Sequence, residues 1–222
     1  MNYQFDFGAV FERAPELLWA TLGTFGLAFA GMALALVIGV LGVIGRTSPN
    51  KIVRAPVIAF VEIVRNTPFL VQIFYIYFAS PLMGIRLNPT ATAIIALGIN
   101  GGAYAIEIIR GGVESISKGQ VEAGYALGLH KSDVFRLIVL KPALRAIYPS
   151  LTSQFIMLTL TTSVCTSIAA YELTSAAQRI ESDTFRSFEV YFLVTGIYLV
   201  ISTVMMGIFA LISRRYFSYP TR

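Results

Sequence analysis

Four charged residues stand inside the long apolar runs of this sequence, in two matching pairs: Glu62 with Arg65, and Glu107 with Arg110. Each pair is spaced E-x-x-R, which on a helix puts acid and base on one face about one turn apart. Charges at membrane depth are costly and usually face the interior of a bundle. Their chemistry is ion pairing and recognition of a polar solute. Two readings stand side by side: structural pairs, with arginines snorkelling to the headgroups, or a network lining a pathway. The first suits Arg110, at a helix end, while Glu62 and Glu107 read as one interior network at the inner end of a pathway. The series Thr159, Thr161, Thr162, Ser163, Cys165, Thr166 and Ser167 adds hydroxyls at nearly every position. A helix turns about 100° per residue, so they cannot all line one pore. Some must bond back to helices and mark close packing, leaving Thr162, Ser163 and Thr166 as the subset to offer a solute hydrogen bonds. Gln72 and Asn100 are the other interior polar candidates, and Gly101-Gly102 reads as permitting close helix approach.

Catalytic and metal chemistry find little support. His130 is the lone histidine, without cysteines or carboxylates at ligand spacing, so it reads as solvated or as part of a docking surface and no metal is expected. The single cysteine, Cys165, rules out an internal disulfide. No G-x-x-x-x-G-K-[ST] phosphate cradle occurs, so any ATP used is hydrolysed by another polypeptide and no cofactor is expected here. No serine–histidine pair, histidine–carboxylate set or aspartate-rich motif appears.

The elements that must position these residues are membrane spans. Of the 222 residues 56% are hydrophobic and 13% charged, with mean hydropathy +0.71; soluble domains carry roughly 25% charge. The apolar runs reach the ~20 residues that cross a bilayer. Five transmembrane helices are expected, over about 17–44, 56–80, 89–109, 151–170 and 188–212, with 1–222 as one transmembrane domain. Prolines 49, 56, 81, 89, 142 and 149 punctuate the connections. Residues 7–19 mix aromatic and acidic side chains and read either as a short amphipathic segment at the interface or as a frayed terminus. No cleavable signal peptide is expected, since Asp6, Glu12 and Glu16 precede the first run.

Basic residues orient the bundle. Twelve of the 17 lie on one side: Arg46, Lys51 and Arg54; Arg110, Lys118, Lys131, Arg136, Lys141 and Arg145; and Arg214, Arg215 and Arg222. The amino terminus is thus expected outside and the carboxyl terminus inside. The net charge of +5 alternates between loops instead of clustering on one soluble face, which argues against nucleic acid as a partner. The largest connection, over about 111–149, then faces the cytoplasm. Its segment 118–149 reads as short helices about a glycine turn: 120–127, Gly128 as the C-terminal residue, and 135–140 capped by Ser132 or Asp133. Val121, Tyr125 and Leu129 recur at four-residue intervals, as on one helix face. By physics alone this is either a hairpin tying two spans together or a docking surface.

The residues of that segment resemble the EAA loop of ABC-importer permeases: Glu122-Ala123-Gly124, then Gly128, then Ile138, Leu140 and Pro142. Two departures stand out, Gly124 at the third position and Lys141 where the proline is expected, with Pro142 one place later. The stretch from Glu62 through Arg65-Asn66-Thr67-Pro68 to Gln72 is similar to the second helix of the polar amino-acid permeases. So are Ala103-Tyr104 with Glu107 and Arg110 to their third helix, and Glu172-Leu173-Thr174 and Thr184-Phe185-Arg186 to their outer fourth connection. The fourth-helix positions where the family often has Lys or Asn, then Asp or Asn, hold Leu160 and Thr161.

What the resemblance implies is an all-α integral membrane protein of the type I ABC importer permease fold in the bacterial cytoplasmic membrane, moving a polar or charged amino acid or an opine. Its partners would be two cytoplasmic ATPase subunits, a second permease, identical or related, and an external solute-binding protein. ATPase coupling would fall to Glu122, Ala123, Gly124, Gly128, Leu129 and Lys131. Pathway candidates become Glu62, Arg65, Gln72, Asn100, Tyr104, Glu107, Thr162, Ser163 and Thr166. The alternative class is a secondary carrier or channel for small polar solutes, which leaves the long loop without a task.

Overall fold

Apolar runs with small residues at close intervals fold here into long helices, and a computed structural model describes residues 4–217. In chain order the helices are α1 (Gly8–Phe11), α2 (Ala14–Arg46), α3 (Lys51–Arg65), α4 (Phe69–Ala79), α5 (Pro89–Glu114), α6 (Lys118–Ala126), α7 (Lys131–Asp133), α8 (Leu140–Thr161), α9 (Leu173–Thr184) and α10 (Ser187–Tyr216). No strand occurs among the described residues. Four stretches are long and apolar enough to cross a membrane, Ala14–Arg46, Pro89–Glu114, Lys131–Ile168 and Ser187–Tyr216, and the bent pair Lys51–Arg65 with Phe69–Met83 makes a fifth.

That bent pair, the second span in chain order, is not the single rod that a run over 56–80 implies. It breaks at Asn66-Thr67-Pro68, where the two halves meet at a bend of 111°. Proline has no N–H to continue the ladder and its ring collides with the preceding turn. Conversely, the fourth span starts far earlier than 151. From Lys131 the chain runs through α7, a wider π turn over Val134–Val139, α8 and a 3₁₀ segment at Thr162–Ile168 without a stop. Pro149 lies inside α8 without breaking it, and the π turn closes just ahead of Lys141 and Pro142. The expected cap at Ser132 or Asp133 is absent, because the helix already begins at Lys131 with an extended His130 before it.

α2 and α5 form the most extensive contact in the molecule. A Cβ on Gly39 of α2 would stand 2.7 Å from that of Ala105, and one on Gly102 of α5 would stand 2.6 Å from Ile38 Cγ2. Small residues let the backbones approach, and in lipid that packing drives association. Gly101-Gly102 therefore serves helix approach, as its sequence indicates.

At the far end, residues ahead of α2 are folded into the molecule. Val10 is fully buried in the core. The Asp6 N–H donates to Glu189 Oε1 at 2.9 Å, Arg186 Nη1 donates to the Gln4 carbonyl at 2.9 Å, and the Phe5 and Phe188 rings meet edge-on at 5.4 Å. A helix that the hydropathy runs do not reveal, α9, lies between the fourth and fifth spans. Its apolar stripe of Leu173, Ala176, Ala177 and Ile180 is wholly buried, and it packs on α2 and α10.

If close backbone contact holds α2 to α5, Gly39→Leu should lower the unfolding free energy of the detergent-purified chain by about 1–3 kcal/mol through overpacking. Gly196→Leu, where an added Cβ meets nothing within 4 Å, should leave the thermal midpoint unchanged.

Candidate coupling hairpin and inner polar network

The hairpin owes its shape to one capping arrangement. α6 ends with the Gly128 N–H donating to the Tyr125 carbonyl at 2.9 Å and the Leu129 N–H donating to the Gly124 carbonyl at 3.2 Å. This is the double bond pattern of a Schellman cap, which needs a left-handed residue between the two donors' turns. Gly128 supplies it with φ +79°. The spacing from Glu122 to Gly128 is thus the spacing from the exposed face of a short helix to its C-terminal turn. Gly124 is the buried residue of α6, where a Cβ would meet Ile138 Cδ1 at 2.5 Å and Val134 Cγ2 at 3.1 Å. Glycine in place of the family's alanine lets α6 lie closer on the rod that begins at Lys131. Glu122, Ala123 and Lys131 face solvent, Leu129 is half-buried, and Tyr125 lies on the outer surface despite its interval with Val121. Leu127 is 81% exposed and Leu137 69%, so the hairpin displays large apolar side chains beside its charges. His130 is exposed there, and no metal-ligating cluster occurs among the described residues.

The two E-x-x-R pairs diverge. Glu107 is a clamp: its Oε1 accepts from Arg46 Nε at 3.0 Å and its Oε2 from Arg110 Nη2 at 2.7 Å, joining the end of α2 to α5. Arg110 also pairs with Glu114. Glu62 takes no part in this. Its carboxylate is exposed and accepts from Asn66 Nδ2 at 3.1 Å, and among the described residues no hydrogen bond or ion pair joins it to Glu107. Arg65 instead lays its guanidinium over the Tyr104 ring, 5.2 Å from the centroid, a favourable cation–π placement. One shared Glu62–Glu107 network is therefore not what the fold makes. Just under one turn of α5, from Tyr104 to Glu107, separates a ring contact from a charge clamp.

Above them the break in the second span is stitched by its own signature residues. Pro68 cannot donate to the Val64 carbonyl, so Gln72 Nε2 does, at 2.7 Å. The same amide reaches Thr67 Oγ1 at 2.8 Å, Thr67 Oγ1 donates to the Ile63 carbonyl at 2.8 Å, and Asn66 Nδ2 donates to the Glu62 carbonyl at 2.8 Å. Asn100 Nδ2 of α5 donates to Gln72 Oε1 at 3.0 Å and ties the bend to the bundle. Every residue of Asn66-Thr67-Pro68 and Gln72 thus has a mechanical task, since freed carbonyls inside a bilayer must find partners.

The hydroxyl series mostly bonds back. Thr159, Thr161, Thr162 and Ser163 donate to the carbonyls of Phe155, Met157, Thr159 and Leu160 at 2.7–2.9 Å. Such bonds compete with the α ladder, and the helix tightens to 3₁₀ from Thr162. Thr162 is fully buried and lines no open surface; Ser163 is half-buried. Thr166 differs: its hydroxyl donates to Gln178 Oε1 of α9 at 3.1 Å. With Ser175, Arg179 and Asp183 these side chains border an outer cavity of about 470 Å³. Sequence reasoning missed that polar face of α9, although Ser175, Gln178, Arg179, Ser182 and Asp183 recur at helical spacing. It also missed the task of Glu172. That carboxylate, 0% exposed, caps α9 by accepting from the Thr174 and Ser175 N–H groups at 2.9 and 2.7 Å and from the Tyr198 hydroxyl at 2.8 Å. Burial pushes its carboxyl above the ordinary glutamate value, and these donors pull it back. The E-L-T-S run, with serine three residues on, carries the capping-box signal.

Residues 31–218 match the family described as "Binding-protein-dependent transport system inner membrane component". The chain is 38% identical over 214 residues to the glutamine transport system permease protein of Escherichia coli, covering 96% of this chain and 98% of that protein. It is 36% identical over 210 residues to the nopaline transport system permease protein of Agrobacterium fabrum, covering 90% and 87%. Among solved structures, an amino acid ABC transporter crystallised with histidines superposes with TM-score 0.90 at 28% identity, over 96% of this chain and all of that one. The inward-facing MetNI methionine ABC transporter shares the fold at TM-score 0.71 and 22% identity.

The stitched bend makes its own prediction. Gln72→Leu leaves the Val64 carbonyl and the Asn100 amide unanswered, which should cost about 1–3 kcal/mol, read as a lowered thermal midpoint. Spin labels on α3 and α4 should report a broadened distance distribution across the bend. An unchanged distribution and midpoint would show that Gln72 does not hold it.

Proposed function

We propose that this chain, which belongs to the family of binding-protein-dependent transport system inner membrane components, imports a polar or charged amino acid or a related opine as the permease of an ATP-driven ABC importer. The permease role itself follows from the family, from the permease relatives and from the shared fold. The glutamine and nopaline systems of the relatives support the substrate class. The observation that carries the coupling is the Schellman-capped hairpin, with Glu122 and Ala123 outward and apolar Leu127 and Leu137 exposed beside them.

In this reading the hairpin faces the cytoplasm, the amino terminus lies outside, and two permeases, identical or related, pair around a central cavity. Two cytoplasmic ATPase subunits hydrolyse ATP, and an external binding protein delivers the solute. Glu122 makes a charge-assisted contact with a basic residue of the ATPase, supported by Ala123, Leu129 and Lys131. Gly124 seats α6 on the rod and Gly128 turns the chain. Because the rod runs from Lys131 to Ile168 without a stop, a push on the hairpin tilts the fourth span as a rigid body. Such tilting exchanges inward-facing and outward-facing cavities. Ser163 and Thr166 offer the solute hydrogen bonds. Glu62, Arg65 and Tyr104 edge the pathway, Gln72 and Asn100 fix the bend that shapes it, and Glu107 shapes its inner end.

Reconstitution with a cytoplasmic ABC ATPase and an external solute-binding protein tests this directly. ATP-dependent uptake of labelled glutamine, or of nopaline, is expected; uptake driven by an ion gradient in vesicles without ATPase would replace the importer with a carrier. Glu122→Arg and Gly128→Val should each reduce coupled uptake at least about ten-fold, the scale of one charged hydrogen bond, while the protein still inserts. Glu107→Gln should leave the complex assembled and hydrolysing ATP while uptake falls; normal coupled uptake would remove Glu107 from the pathway's control.

A further inference from the structure

Across the seam between α8 and α10 the Tyr148 hydroxyl donates to the Phe209 carbonyl at 2.9 Å. That bond divides the seam into two clefts. One, of about 350 Å³, is bordered by Phe29, Met32 and Leu36 of α2 along with Phe155. The other, of about 300 Å³, runs from Ile156 and Met206 down past Pro149 to Ser213. Their walls are apolar side chains with a few hydroxyls, and only 17% of the apolar window of α10 is buried within this chain.

Charge marks one end. α10 continues past Ser213 into Arg214 and Arg215, both exposed, and Arg214 stands one turn beyond Ala210 on the cleft wall. On α8, Arg145 precedes Pro149 by one turn. Phe217 closes that end with its ring 4.9 Å from Tyr148. Two narrow apolar clefts that begin at a basic rim have the form of two chains joined at an anionic head.

We propose that an anionic phospholipid from the leaflet at the Arg214 end binds here, its acyl chains on either side of Tyr148 and its phosphate on Arg214 and Arg215. Guanidinium forks match phosphate oxygens in pairs, and basic pockets between membrane helices hold anionic headgroups. A packed protein helix is a poorer fit, because a single row of side chains cannot fill clefts on both sides of the Tyr148–Phe209 bridge. The proposal is independent of what the permease carries.

The test uses the full chain in bilayers of phosphatidylcholine with added phosphatidylglycerol. Trp19→Phe removes the sole tryptophan, and Met206→Trp puts a reporter on the cleft wall. Bromine-labelled phosphatidylglycerol should quench that reporter with at least about five-fold higher relative affinity than bromine-labelled phosphatidylcholine, the scale of one basic residue. The preference should vanish with Arg214→Gln and Arg215→Gln together, and persist with Lys118→Gln on the distant hairpin. Equal quenching by both lipids, absence of quenching by either, or a preference that survives the double substitution would each overturn the proposal. Should the reporter variant fail to fold, native mass spectrometry of the unmodified chain and of the double variant decides it. The unmodified chain should retain phosphatidylglycerol over phosphatidylcholine and the double variant should not; equal retention by both would sink the idea.

Discussion

The rest of the molecule depends on how little side-chain bulk α5 presents where its neighbours meet it. Gly98, Gly101, Gly102, Ala105 and Gly112 leave room for Leu34, Ala35, Ile38 and Gly39 of α2 and for Leu158 and Ile147 of α8. In lipid no hydrophobic force pushes helices together, so contact at backbone distance has to do it. With its bulk removed from those positions, α5 can spend its few polar side chains on other neighbours. Asn100 holds the bend of the second span, Tyr104 carries Arg65, and Glu107 binds the end of α2. The three contacts follow one another along a single helix, so a shift of α5 reaches all of them together.

The other long mechanical element is the rod from Lys131 to Ile168. Its first part supports α6 through Gly124, its middle packs on α5 at Gly112, and its far end meets α9 through Thr166 and Gln178. One continuous piece thus connects the hairpin on one side with the polar face of α9 on the other. Prolines 142 and 149 do not divide it, because transmembrane helices tolerate proline where neighbours and local turns answer the freed groups. The α9 end is held just as firmly: buried Glu172 fixes the start of α9, and buried Glu189 receives the chain ahead of α2.

Hydropathy made the spans legible, and the EAA spacing made the hairpin legible, because both are periodic or local properties. The bend was legible only as a string of signature residues. Its geometry depends on a carbonyl lost to Pro68 and recovered by a side chain eight positions from it, and no periodicity records that. Paired charges with identical E-x-x-R spacing looked equivalent, yet one pair closes on Arg46 and the other opens toward a ring. The difference lies in what the neighbouring helix offers at each level. The hydroxyl series was too dense to line one pore, and most of it does serve its own backbone, Thr162 and Ser163 included. α9 escaped because it is short and half polar, although its capping residues were in plain view.

The bent second span carries a consequence for how the protein is made. α4 has only 11 residues, too few to cross ~30 Å of hydrocarbon by itself. Gln72 can reach Val64 and Thr67 as soon as it leaves the ribosome, but Asn100 follows it by 28 residues. The bend therefore acquires its full set of hydrogen bonds only once α5 packs beside it.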